Sequence, residues 1–134
     1  MRTTLLLTLL LMMAGPARTA DDIAAAQNVI SAQEQAFKRD DAAAAYSFAA
    51  PAIKEIFPSA DVFMSMVQNT YAPVYRHRSF EFGEAEVDGD RVAQRVHIAD
   101  AKGEAWEALY TLEREADGSF KITGCMLLKA GQSV

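Results

Sequence analysis

Near residue 78 the apolar side chains of this chain change their spacing, from three-to-four residues upstream to two downstream. The wider spacing buries one stripe of a helix and the narrower one face of a strand, so the chain divides into a helical half and a sheet half. Downstream, SFEFGEAEV (79–87) and RVAQRVHIA (91–99) flank DGD at 88–90, a hairpin turn of the Asp-Gly kind. Val92, Gln94, Val96 and Ile98 alternate with Arg91, Ala93, Arg95 and His97, so the first set is expected to face the helices and His97 to face solvent. DAKG (100–103) turns the chain again, and EAWEALYTLERE (104–115) places Trp106, Ala108, Tyr110 and Leu112 on one face. ADGS (116–119) turns it a third time and FKITGCMLLK (120–129) closes the sheet. Strands joined by such short turns pair with their sequence neighbours.

Upstream, DDIAAAQ at Asp21 and DDAAAAY at Asp40 each set acids before alanines, the pattern of two helix starts. The first helix is expected over about Asp22 to Lys38. It should bury Ile23, Ala26, Ile30 and Phe37, with Val29 and Ala36 beside them and Gln27 and Gln33 at the border. A second, short helix carries Ala42 to Phe48, and AIKEIF between Pro51 and Pro58 makes about two turns. Ser59 caps a longer helix with Val62, Phe63, Met66 and Val67 inward. Helices first and strands after predict an α+β fold, with the N-terminal helices packed on one face of a C-terminal four-stranded antiparallel meander sheet.

Residues 1–17 stand apart from this pattern. Arg2 precedes an apolar run from Leu5 to Ala14 broken only by Thr8, the length of a signal-peptide core and short of the about 20 residues that span a bilayer. Gly15 and Ala17 fit the −3 and −1 positions of a cut after Ala17, whereas a cut after Ala20 would put Arg18 at −3. The segment predicts a cleaved signal peptide and export to the periplasm or the medium, with residues 18–134 forming one domain and no membrane association after cleavage. Thirteen basic against 18 acidic side chains give a net charge of −5, which offers nucleic acid or an anionic membrane no electrostatic attraction. Cys125 is the single cysteine, so no intrachain disulfide supports the fold and its 51% apolar composition must do so.

The stretch from Val29 to Gly83, with AYSFAAPAI and PVYR inside it, and the later YTLEREADGSFKITGC resemble an exported bacterial family, domain of unknown function 4864. The resemblance runs from about Ala20 to Leu128. It implies a cystatin-like, nuclear-transport-factor-like α+β cone, and it implies no activity and no set of catalytic residues. In cones of this type the helices cover a curved sheet incompletely and leave an apolar cavity, which similar ketosteroid isomerases and dehydratases use for catalysis.

Candidate sites compete with plainer structural roles. In YRHR (75–78), an extended chain would put Arg76 and Arg78 on one side and His77 on the other, and two adjacent guanidiniums could clamp a carboxylate or phosphate. The same arginines could instead bind the domain's own acids, for instance Asp61 or Glu81. The resembled family commonly carries proline where this chain has His77, and the sequence shows no partner that would make the imidazole an acid or base. Tyr71 and Tyr75, four apart across Pro73, need not share a helix face. Two histidines and one cysteine, scattered, make no metal-ligand spacing, and no cofactor motif or catalytic constellation occurs. Cys125 has no cationic neighbour in sequence to activate it.

The remaining candidates are pocket residues: Gln33, Tyr46, Phe48, Phe82, Trp106 and Tyr110, with Gln33 decisive because a buried amide needs a partner. The reading is a non-enzymatic exported domain that binds a small apolar molecule or a protein partner, with a homodimer through the open sheet face as one form of the latter. The alternatives are an enzyme of the isomerase or dehydratase type and a purely structural envelope protein. An ionisable group inside a cavity would favour the enzyme, a wholly apolar lining would favour ligand binding, and a filled core would favour the structural role.

Overall fold

The computed structural model describes residues 16–131, with side chains from Arg18 onward. The expected signal peptide therefore falls largely outside the described residues. Among the described residues five helices, α1 (Pro16–Lys38), α2 (Ala42–Ser47), α3 (Pro51–Ile56), α4 (Ala60–Thr70) and α5 (Ala72–Tyr75), precede four strands. These are β1 (His77–Asp88), β2 (Arg91–Asp100), β3 (Ala105–Arg114) and β4 (Phe120–Lys129), antiparallel and in spatial order β1-β2-β3-β4. The architecture is α+β, with helices followed by an open four-stranded antiparallel sheet. Among the described residues no helix is long and apolar enough to cross a membrane.

The helix starts divide. Asp41 caps α2, its side chain accepting from Ala44 N at 3.0 Å, as the acid-before-alanine pattern predicts. Asp22 does not start a helix: α1 already begins at Pro16, and the buried Asp22 carboxylate instead pairs with Arg114 on β3. The acid at that point serves a contact 92 residues away, which local sequence cannot show. α4 is capped by Ser59, which accepts from Val62 N at 3.2 Å. Its buried side chains are Phe63, Met64 and Val67, while Val62, expected inward, is exposed. The Phe63–Val67 pair, one turn apart, fixes the inward stripe, and Val62 is rotated about 100° away from Phe63.

The turn α5 is an addition to the expected elements. Pro73 stands in its first turn, where a missing N–H costs nothing, so the proline starts a helix rather than separating two tyrosines. Phe48, expected at the end of the second helix, is instead the first residue beyond it. Its carbonyl accepts from Ile122 N at 2.9 Å, and Ala50 N donates to Ile122 O at 2.8 Å. This short parallel contact lays the α2–α3 connection along β4 and covers part of an otherwise open sheet edge.

The sheet turns its Val92, Gln94, Val96, Ile98 face to the helices, and His97 is exposed, as the alternation predicts. Gln94 is wholly buried in this apolar row. Its Nε2 donates to Arg95 O at 2.8 Å and to Gly83 O at 3.0 Å, and its Oε1 accepts from Gln27 Nε2 at 3.0 Å. Gly83 lies in an irregularity where the β1–β2 register shifts between Phe82 and Ala85. The buried amide therefore satisfies backbone that the bulge frees, and through Gln27 it fastens the sheet to α1. Ile30, Phe37, Val92, Val96 and Leu112 form the tightest part of the core, each contributing about 1.5–3 kcal/mol by burial.

Candidate ligand cavity

A cavity of about 190 Å³ lies between the helices and the β3–β4 half of the sheet. Its interior is formed by buried groups: Gln33 and Phe37 from α1, Ala49 from the α2–α3 connection, Phe63 and Val67 from α4, Val74 from α5, Tyr110 from β3 and Ile122 from β4. Half-buried Ile53, Phe57, Met66, Tyr71, Gly124 and Cys125 form its rim. The lining is uneven in side-chain size. Phe37 and Phe57 flank Phe63 at 6.4 and 6.2 Å between ring centroids, while Ala49 and Gly124 contribute almost no side chain.

Of the six pocket residues named from sequence, Gln33 and Tyr110 reach this cavity. Tyr46 lies one layer behind, its ring 5.6 Å from that of Phe63 and its hydroxyl donating to Phe57 O at 2.5 Å. Phe48 packs against the core from the α2–α3 connection. Phe82 packs on Phe80, which in turn meets Tyr110. Trp106, four residues before Tyr110 on the same strand, lies beyond the cavity. Its indole N–H donates to Asp100 Oδ2 at 2.9 Å, holding that carboxyl below the usual carboxylate range, and its ring borders a separate open cleft with Tyr71 and Met126. Alternation along β3 fixed the face of each residue correctly, but it carries no information on where along the strand the helices stop covering it.

The arginines do not converge. Arg76 is the residue that ends α5, and the register of β1 shifts between His77 and Ser79, so the alternation assumed for an extended YRHR is broken. Arg76 donates to Asp40 Oδ1 at 2.7 Å and to Phe37 O at 2.8 Å, with its guanidinium 4.1 Å from the Tyr75 ring centroid. Its acid is Asp40 rather than Asp61 or Glu81, and the contact ties α5 to the end of α1. Arg78 turns toward Gly103 in the β2–β3 turn. His77 does have a partner, from α1: its Nε2 lies 2.9 Å from Glu34 Oε1, and its Nδ1 lies 3.2 Å from the carbonyls of Pro73 and Val74. These three partners are all acceptors, and the ring fastens α5 to α1 outside the cavity lining.

The polar atoms that do face the cavity are uncharged. Tyr110 and Cys125 are opposite residues of β3 and β4. Burial, reinforced by the neighbouring Cys125 and Glu34, raises the Tyr110 hydroxyl well above its ordinary value. Burial likewise pushes the Cys125 thiol up to about 12, against a smaller opposing effect of its hydrogen bond with Tyr110. Both groups keep their protons at neutral pH. Gln33 is 4% exposed, and its Nε2 donates to Ala45 O at 3.1 Å. Among the described residues no carboxylate, imidazole, ammonium or guanidinium lines the cavity, and no cluster of three metal-ligating side chains occurs. Cys125 and Tyr71 are lining residues that the sequence reading left out of the pocket. The direct strand pairing of position 125 with Tyr110 is the signal that would have found the first.

Comparison with protein families adds one result: residues 19–133 match the domain of unknown function DUF4864. The chain belongs to that family. Among the described residues the match takes in every helix and strand except the first turn of α1, so cavity and sheet are both within the family's domain. Neither the curated proteins nor the solved structures contain a match.

Proposed function

We propose that this protein is a non-enzymatic binding domain that takes up one small, mainly apolar molecule between its helices and its sheet. The observation that carries the reading is the composition of the cavity: aromatic and aliphatic side chains with a few uncharged polar atoms. Pockets built this way bind by burial of apolar surface and use isolated polar groups for orientation. A volume of about 190 Å³ compares with the ~150 Å³ engineered cavity that holds benzene, so the ligand is of single-ring size. A proton-transfer enzyme would need a group that changes charge near neutral pH beside its substrate, and the raised Tyr110 and Cys125 are poorly suited to that work. Export to the periplasm or the medium, read from residues 1–17, is the proposed setting.

The test is a titration of methyl-labelled protein with benzene, followed by nuclear magnetic resonance. Shifts confined to the methyls of Ile53, Val67, Val74 and Ile122, and abolished in Val67→Phe, are expected. Scattered shifts, or none at millimolar benzene, would remove the reading.

A further inference from the structure

Gln33 is an unusual wall for an apolar cavity. The neighbour of its Nε2 is a backbone carbonyl, which can only accept, so the orientation of the side-chain amide is settled: nitrogen toward Ala45 O, oxygen away from it. That oxygen accepts no hydrogen bond from the protein among the described residues, and it is not one of the fully enclosed atoms without a partner: in a residue 4% exposed that lines the cavity, it keeps a little open surface that water reaches. A carbonyl whose donor is water loses that partner when an apolar molecule displaces it, so the site favours an occupant that brings its own O–H or N–H. The remaining lining restricts what that molecule can be. With no cation among the lining residues described, a carboxylate or phosphate would lose its hydration without compensation, and with no anion an ammonium would do the same.

Resting on the ligand-binding reading above, we infer that the cavity selects an uncharged single-ring hydroxyl compound, a phenol or cyclic alcohol, whose O–H donates to Gln33 Oε1 while its ring packs among Phe37, Phe63 and Val67. Gln33 is then the specificity-determining residue. A cavity without an acceptor prefers toluene to phenol, because phenol must leave its hydroxyl unpaired. With Gln33 Oε1 at its wall the phenol hydroxyl keeps a partner, while toluene strips the amide oxygen of its water, and the preference for toluene is lost.

The experiment is calorimetric titration of the folded protein with toluene, phenol and benzoate in turn, then of Gln33→Leu with the first two. Phenol is expected to bind at least as tightly as toluene to the unaltered protein, with benzoate undetectable. Gln33→Leu is expected to weaken phenol about tenfold while leaving toluene within about twofold. Toluene binding more tightly than phenol to the unaltered protein overturns the assignment but leaves the cavity a ligand site, and so does benzoate binding as well as phenol. Failure of both toluene and phenol to bind overturns the ligand-binding reading with it. The comparison within the unaltered protein decides the matter even if Gln33→Leu does not fold.

Discussion

Tyr110 and Cys125 face each other across β3 and β4 at the wall of the cavity, and burial keeps the hydroxyl and the thiol protonated there. The Cys125 thiol is raised from 9.0 to about 12, so above pH 9 the unfolded chain releases a proton that the folded protein retains. The folded state's advantage from this group is complete below about pH 9 and is lost as pH rises toward 12. Tyr110 acts in the same direction but only from about pH 10, the ordinary value of a tyrosine. Urea unfolding between pH 8 and 10 should therefore show the unaltered protein losing stability with a slope of up to about 1.4 kcal/mol per pH unit. Cys125→Ser should be nearly flat up to about pH 9 and keep only the smaller tyrosine contribution as pH nears 10, and parallel curves for the two would show that the thiol is not held in this way.

The buried amide of Gln94 should be among the most sensitive positions in the sheet. Gln94→Leu removes the partner of Gly83 O at the β1 irregularity and of Gln27 on α1. A loss of about 2–3 kcal/mol in urea unfolding is expected, against about 1 kcal/mol for Gln27→Ala, whose side chain is only half-buried. Equal, small losses at both would mean that the bulge satisfies its backbone by other means.

Arg76 and Arg114 make a second contrast. The Arg76–Asp40 pair is about half exposed on both sides and is screened by water, so its ionic part should contribute below about 1 kcal/mol. Arg114 pairs with the buried Asp22 and lies over Phe120, and truncating it leaves a carboxylate beneath α1 without its partner. Arg114→Ala should lower the thermal midpoint more than Arg76→Ala, and 0.5 M salt should shrink the Arg76 effect further. The reverse order would place the weight on α5 instead.

The class of fold was legible in the sequence because it depends on period alone: Val92, Val96 and Ile98 on β2 and Ile30 with Phe37 on α1 are placed by spacing and turn signals, and they occupy the core as expected. The cavity was legible only in part. Tyr110 followed from strand alternation and Gln33 from its place beside the α1 stripe, but Trp106 shares the alternation of Tyr110 and lies outside. Whether a residue on the correct face lines a space or packs against a neighbour depends on how far α4 extends over the sheet. Nothing local encodes that distance. The same limit applies to polar pairs. Glu34 for His77, Asp22 for Arg114 and Gln27 for Gln94 are joined across 43, 92 and 67 residues, and only the finished packing brings them together.

The central claim, that the space beneath α4 is a ligand site, is tested most directly by the thermal midpoint of the protein in phenol. At ten times its dissociation constant a ligand bound only by the folded state contributes about 1.4 kcal/mol, or a rise of roughly 5 °C for a domain of this size. The account predicts that rise for the unaltered protein and almost none for Val67→Phe, whose ring occupies the cavity. An unchanged midpoint, or the same rise in both proteins, would contradict it.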